Sequence, residues 1–216
     1  LVVTGLLEAG RAAAAREAAR VDPTELAGVE SFSYFVCVNA TAAAYTYSWY
    51  FPNTAGVKGA PLLLWLQGGP GGASTFGALN EVGPLRVERG ADGRLEAKRR
   101  ETGSWAEKFD LLFLDNPVGT GFSYTTEEGG YARKREDYEE TLYAAMQQFY
   151  ALFPDKLDDE FYITGESYAS HYIPALAHKI HVENGRGGRP RVPLAGFAIG
   201  DGWSDPETMV MQYADM

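Results

Sequence analysis

The chain has 216 residues, 45% of them hydrophobic, with 19 Lys and Arg against 29 Asp and Glu, a net charge of −10 and a pI near 4.8. That is enough for one domain with a sizeable core, and the acidic balance argues against nucleic acid and anionic membranes as partners. No apolar run reaches the ~18–20 residues that span a bilayer, and the single cysteine, Cys37, excludes a disulfide within the chain.

Leu1 is preceded by no Met, basic segment or cleavage site, so a secretory leader is expected to lie upstream or to have been removed. Residues 4–20 are Ala-rich with scattered Arg and Glu and read as a helix, part of an N-terminal helical extension over residues 1–30. Residues 31–39 and 44–51, rich in Tyr, Phe and Val, read as two strands, with Cys37 expected as a core thiol. Asn39-Ala40-Thr41 is an N-glycosylation sequon near the turn between them.

Residues 61–67 form a buried strand ending in the glycine-rich run Gly68-Gly69-Pro70-Gly71-Gly72. No G-K-[ST] follows and no G-x-G-x-x-G opens a helix, which excludes a phosphate cradle. Such a loop lets backbone N–H groups approach a substrate carbonyl closely. A short helix is predicted from Ser74 to Val82, and a charged, solvated loop from Arg86 to Gly103, where Glu88, Asp92, Glu96 and Glu101 surround Lys98-Arg99-Arg100. Another buried strand covers Phe109–Asp115 and ends in a loop with Pro117, Gly119 and Gly121. Tyr138, Leu142, Ala145, Phe149 and Leu152 recur at helical spacing within residues 131–152.

Phe161-Tyr162-Ile163-Thr164 then reads as a strand, Gly165-Glu166-Ser167 as a sharp turn, and the following residues as a helix to about Glu183. Strand, turn with Ser and helix make a nucleophile elbow, whose helix N-terminus points positive charge at whatever Ser167 attacks. The pattern is G-x-S-x-G, with Ala169 in place of the second Gly. Asn184–Pro190 reads as a surface loop, 192–200 as a sixth strand, and a helix is expected after Pro206. Alternating strands and helices predict an α/β fold with a mostly parallel, doubly wound sheet, without internal repeats or a domain linker.

Trp65-Leu66-Gln67-Gly68-Gly69-Pro70-Gly71-Gly72, Asp115-Asn116-Pro117-Val118-Gly119-Thr120-Gly121-Phe122-Ser123-Tyr124, Gly165-Glu166-Ser167-Tyr168-Ala169 and Gly200-Asp201-Gly202-Trp203-Ser204-Asp205-Pro206 follow one another in this order. With them the chain closely resembles the serine carboxypeptidases over nearly its whole length, and most of all their vitellogenic-carboxypeptidase-like branch. The resemblance implies a single α/β-hydrolase domain over residues 1–216, Ser167 as nucleophile, and an oxyanion hole made by the N–H groups of Gly69 and Tyr168. It implies that Gln67, Gly68, Glu81 and Glu166 bind the free carboxylate of a peptide substrate, with Gln67 standing where the common family pattern has Asn. A family disulfide at the position of Gly72 is missing.

In this fold the order is Ser, then Asp or Glu, then His, yet the only histidines are His171, His178 and His181, all on the helix after Ser167. They are expected to serve that helix's faces, and the Asp and His to come from a downstream segment or a second chain. The C-terminal part of the fold is thus expected to be missing. His178-x-x-His181 lacks further ligands, so no metal and no cofactor are expected. The resemblance also implies acid-pH activity on peptide C-termini, a glycan at Asn39, and a secretory address, lysosomal, vacuolar or secreted. An esterase or acyltransferase on the same scaffold and a catalytically inert binding partner are the alternatives. A homodimer is left open. Trp65, Asn116, Pro117, Tyr124 and Tyr172 either line the pocket or pack.

Overall fold

The computed structural model describes residues 1–187 and 190–213. In chain order the elements are α1 (Thr4–Glu8), α2 (Ala12–Ala19), β1 (Arg20–Val21), β2 (Ser31–Asn39), β3 (Ala44–Phe51), β4 (Leu62–Leu66), α3 (Ser74–Phe76), β5 (Leu85–Arg89), β6 (Leu95–Arg99), β7 (Asp110–Leu114), β8 (Tyr124–Thr125), α4 (Arg135–Leu152), β9 (Phe161–Glu166), α5 (Ala169–Arg186), β10 (Leu194–Gly200) and α6 (Pro206–Gln212). The main sheet has the order β1-β2-β3-β7-β4-β9-β10, with β8 on β3. β7, β4, β9 and β10 run parallel, while β1, β2 and β3 add an antiparallel flank.

Period-two alternation along β4 divides the core. Leu62, Leu64 and Leu66 face a cluster built with α4 and α5, while Leu63 and Trp65 join Phe51, Leu111 and Phe113 on the other side. Residues 1–30 pack onto this body: Val3, Ala15, Ala19 and Val29 are buried, and the Val3 N–H donates to the Phe35 carbonyl.

Several elements differ from expectation for visible reasons. The predicted first helix is two, because Gly10 takes φ +68 between α1 and α2. The charged stretch after Arg86 is no loop. Its residues Leu85–Arg89 and Leu95–Arg99 pair as an antiparallel hairpin, and both strands stay largely exposed, so charge hid the alternation. α4 starts at Arg135 because the Asp137 carboxylate accepts from the N–H groups of Arg133 and Lys134. α5 continues to Arg186, so the loop expected from Asn184 starts later; its Gly188 and Arg189 lie outside the described residues. Cys37 is half-buried rather than a core thiol.

At the foot of the sheet, Asp110 is 1% exposed and accepts from Tyr50 Oη (3.0 Å) and the Asn53 N–H (2.7 Å), with Lys156 Nζ at 2.6 Å. Lys156 keeps Asp159 at 2.9 Å, but the buried Tyr50 hydroxyl and the Asn53 N–H lose this acceptor, so Asp110→Ala is expected to cost about 1–3 kcal/mol of stability. Chemical denaturation of the complete protein checks this; a loss below about 1 kcal/mol would mean that the pair behaves as a surface one.

Candidate active site

Ser167 sits between β9 and α5 with φ +57, the left-handed conformation that strains a non-Gly residue. Three backbone bonds hold it there. Its N–H donates to Gly200 O (3.0 Å), and its carbonyl accepts from the N–H groups of Ser170 (3.1 Å) and Trp203 (3.1 Å). The glycine-rich loop after β4 packs directly on this turn. A Cβ at Gly68 would lie 2.7 Å from Ser167 Cβ and 2.8 Å from Tyr168 N, so only glycine fits. Gly68→Ala is expected to force loop and elbow apart, costing about 1–3 kcal/mol of stability and on the order of 10²-fold in kcat. Kinetics and thermal unfolding of the variant check this, and unchanged values in both would show that the loop can yield.

Gln67 is 8% exposed and its amide is fixed on both sides. Trp65 Nε1 donates to Oε1 (2.8 Å), so Nε2 is turned to donate to Glu166 Oε1 (2.6 Å) and, more weakly, to Glu81 Oε1 (3.4 Å). A π-helical turn, Gly77–Glu81, directs Glu81 back to Gln67. Its Oε2 is buried without a hydrogen-bond partner. Burial, and then the nearby Glu166 carboxylate, raise the Glu81 carboxyl above the ordinary glutamate range. Gln67, Glu81 and Glu166, from three separate segments, are therefore brought together beside Ser167.

Hollows open on either side of Ser167. One, of about 430 Å³, is lined by Gln67, Gly68, Gly69, Phe76 and Glu166 as well as Ser167 itself. The other, of about 560 Å³, is lined by Gly69, Pro70, Tyr168, Trp203 and Met209. Gly69 borders both, at φ +115. The N–H groups of Gly69 and Tyr168 are spent in none of the described hydrogen bonds. Asp115, fully buried at the end of β7, accepts from the N–H groups of Thr75 and Phe122 (both 3.0 Å), tying the start of α3 to the neighbouring loop.

The histidines are not gathered at the hydroxyl. His171 lies against the Tyr168 ring (centroids 4.4 Å apart), and His178 and His181 are exposed along α5. None of Trp65, Asn116, Pro117, Tyr124 and Tyr172 lines either hollow; Tyr172 belongs to the core, and Tyr124 stacks on Tyr45. Sequence reasoning missed Trp65 and Asp115 as positioning groups. For Trp65 the signal existed, since residues two apart on a strand share a face. For Asp115 there was none, because the N–H groups it accepts from come from α3 and from a separate loop. Asn39 ends β2, and its exposed turn leads into β3.

A family model described as serine carboxypeptidase matches residues 23–216. The chain belongs to the serine carboxypeptidase family. It is 41% identical over 215 residues to a human member, probable serine carboxypeptidase CPVL, covering 100% of this chain and 44% of that protein. It is 42% identical over 206 residues to the vitellogenic carboxypeptidase of Aedes aegypti, covering 95% of this chain and 42% of that one. The solved structure of Saccharomyces cerevisiae Kex1Δp, a prohormone-processing carboxypeptidase, superimposes with a TM-score of 0.81 at 31% identity, over 93% of this chain and 46% of that one. The family architecture is thus the α/β-hydrolase fold, and the chain spans less than half the length of these relatives.

Proposed function

We propose that this protein is a serine-type carboxypeptidase that removes residues from peptide C-termini through an acyl-enzyme on Ser167. In this reading Ser167 Oγ attacks the last peptide carbonyl. The N–H groups of Gly69 and Tyr168 receive the developing oxyanion, each worth about 2.7–4 kcal/mol in the transition state. The peptide's terminal carboxylate lies against Gln67, Gly68, Glu81 and Glu166. The observation that carries the proposal is the Gln67 amide and the Glu166 carboxylate lining one hollow with the strained Ser167, with Glu81 held to the same amide. A hydrolase without need of a free acid has no use for this arrangement.

Two glutamates can hold a carboxylate only when a proton is present to be shared, so the proposed working range is acidic. The general base and its orienting acid are assigned to polypeptide outside residues 1–216, in a further segment or a second chain. A secretory address, lysosomal, vacuolar or secreted, is supported by the similarity to the venom serine carboxypeptidase of Apis mellifera, 39% identical over 215 residues.

The test compares a peptide with its C-terminal amide on the complete protein. The amide leaves buried polar groups unpaired and is expected to react at least about 10²-fold more slowly. Equal rates would replace this reading with an esterase or acyltransferase.

A further inference from the structure

The π-helical turn Gly77–Glu81 closes where the Val82 N–H donates to the Gly77 carbonyl (3.0 Å). The Gly83 N–H turns to the same carbonyl (3.3 Å), and the next residue, Pro84, has no N–H to give. The Leu79 carbonyl is therefore left without a helical donor. Arg100, half-buried just past the end of β6, supplies one. Its Nη2 donates to the carbonyls of Leu79 (3.2 Å) and Leu85 (3.3 Å), and its Nε to that of Gly83 (3.1 Å). Its own N–H donates to the Pro84 carbonyl (2.8 Å), which fixes the backbone that carries the side chain. A planar, permanently charged fork suits carbonyls fanned around it in this way.

Small movements of the turn matter, because it is already pressed against the site. A Cβ at Gly77 would lie 2.3 Å from Trp65 Nε1 and 3.1 Å from Glu81 Oε2. The bond from the Gln67 amide to Glu81 is 3.4 Å long, so a shift of about half an ångström breaks it. Arg100 lines neither hollow beside Ser167. We propose that Arg100 is a positioning residue: its guanidinium fixes the π-helical turn that holds Glu81 against Gln67, and so sets the affinity for the substrate's terminal carboxylate. This rests on the carboxylate-binding role proposed above for Glu81.

The test uses the complete protein with isotope-labelled glutamate carboxyls, followed by nuclear magnetic resonance. The Glu81 signal is the one lost in Glu81→Gln. In Arg100→Ala the Glu81 carboxyl is expected to titrate nearer the ordinary glutamate range, being less buried and farther from Glu166 and Asp201, the carboxylates that act on it. KM for free-acid peptides is expected to rise by about tenfold or more, and its climb with pH to begin at lower pH. Labelling of Ser167 by a fluorophosphonate, which carries no carboxylate, is expected to keep the parent rate. Arg100→Lys keeps the charge but donates from a single nitrogen, so it is expected to move the titration and KM in the same direction by less. A Glu81 titration or a free-acid KM unmoved in both variants, or labelling slowed in step with peptide turnover, overturns the positioning role. The titration involves no substrate, so it decides that role even where peptide and amide prove equal substrates, the result that removes the carboxypeptidase reading.

Discussion

Alanine at Ser167 is expected to lower kcat/KM of the complete protein for peptides by about 10⁵–10⁶-fold. The loss follows from the role proposed for Oγ. Without it no acyl-enzyme forms, and only binding and the oxyanion donors remain to act on a water. Stability is expected to stay within about 0.5 kcal/mol, because the bonds that hold the elbow are made by the backbone, from Ser167 N–H to Gly200 and from Ser170 and Trp203 to the Ser167 carbonyl. The left-handed φ of +57 is as costly for Ala as for Ser. Rate measurements beside thermal unfolding separate the cases. Residual activity within tenfold of the parent would remove Ser167 from the chemistry, and a collapse of stability would make its role structural.

Glu81→Gln is expected to abolish the pH dependence of KM. In the parent, Glu81 holds its proton above the ordinary glutamate range because it is buried and because Glu166 lies nearby. In the proposed role the protonated group donates to a substrate carboxylate and the ionised group repels one. Above the raised value KM should therefore climb by about tenfold per pH unit, the slope of a single required proton. Glutamine donates at every pH, so the variant's KM should stay flat and undercut the parent's by on the order of 10²-fold two units above that value. Linkage gives a second readout. Folded Glu81 binds its proton more tightly than the unfolded chain does, so stability falls as pH rises from the ordinary value through the raised one. The substitution removes that contribution, and the Tm difference between acid and neutral pH should shrink. Parallel KM profiles for parent and variant would contradict the shared-proton account.

The buried strands were legible because β4, β7 and β9 are short apolar runs bounded by Gly, Pro or charged residues, a pattern that hydrophobic burial alone dictates. The elbow was legible because a strand, a Ser-bearing turn and a helical pattern adjoin in sequence. The β5–β6 hairpin was not, since its partners face solvent on both sides and no core-facing alternation survives among Arg86, Glu88, Glu96 and Lys98. At the site, the residues were named through a family resemblance, but their arrangement was not readable. Strand spacing puts Trp65 and Gln67 on one face, but nothing in the sequence says that the longer side chain of Gln67 reaches both glutamates. That reach depends on a π-helical turn between residues 77 and 81 and on β4 lying beside β9, both products of tertiary packing.

The most direct measurement is fluorophosphonate labelling of the complete protein at acid pH, with the modified residue located by mass spectrometry. The account predicts a stoichiometric adduct on Ser167 and none in Ser167→Ala. An active protein that remains unlabelled at Ser167, or that carries the adduct on another serine, would contradict it.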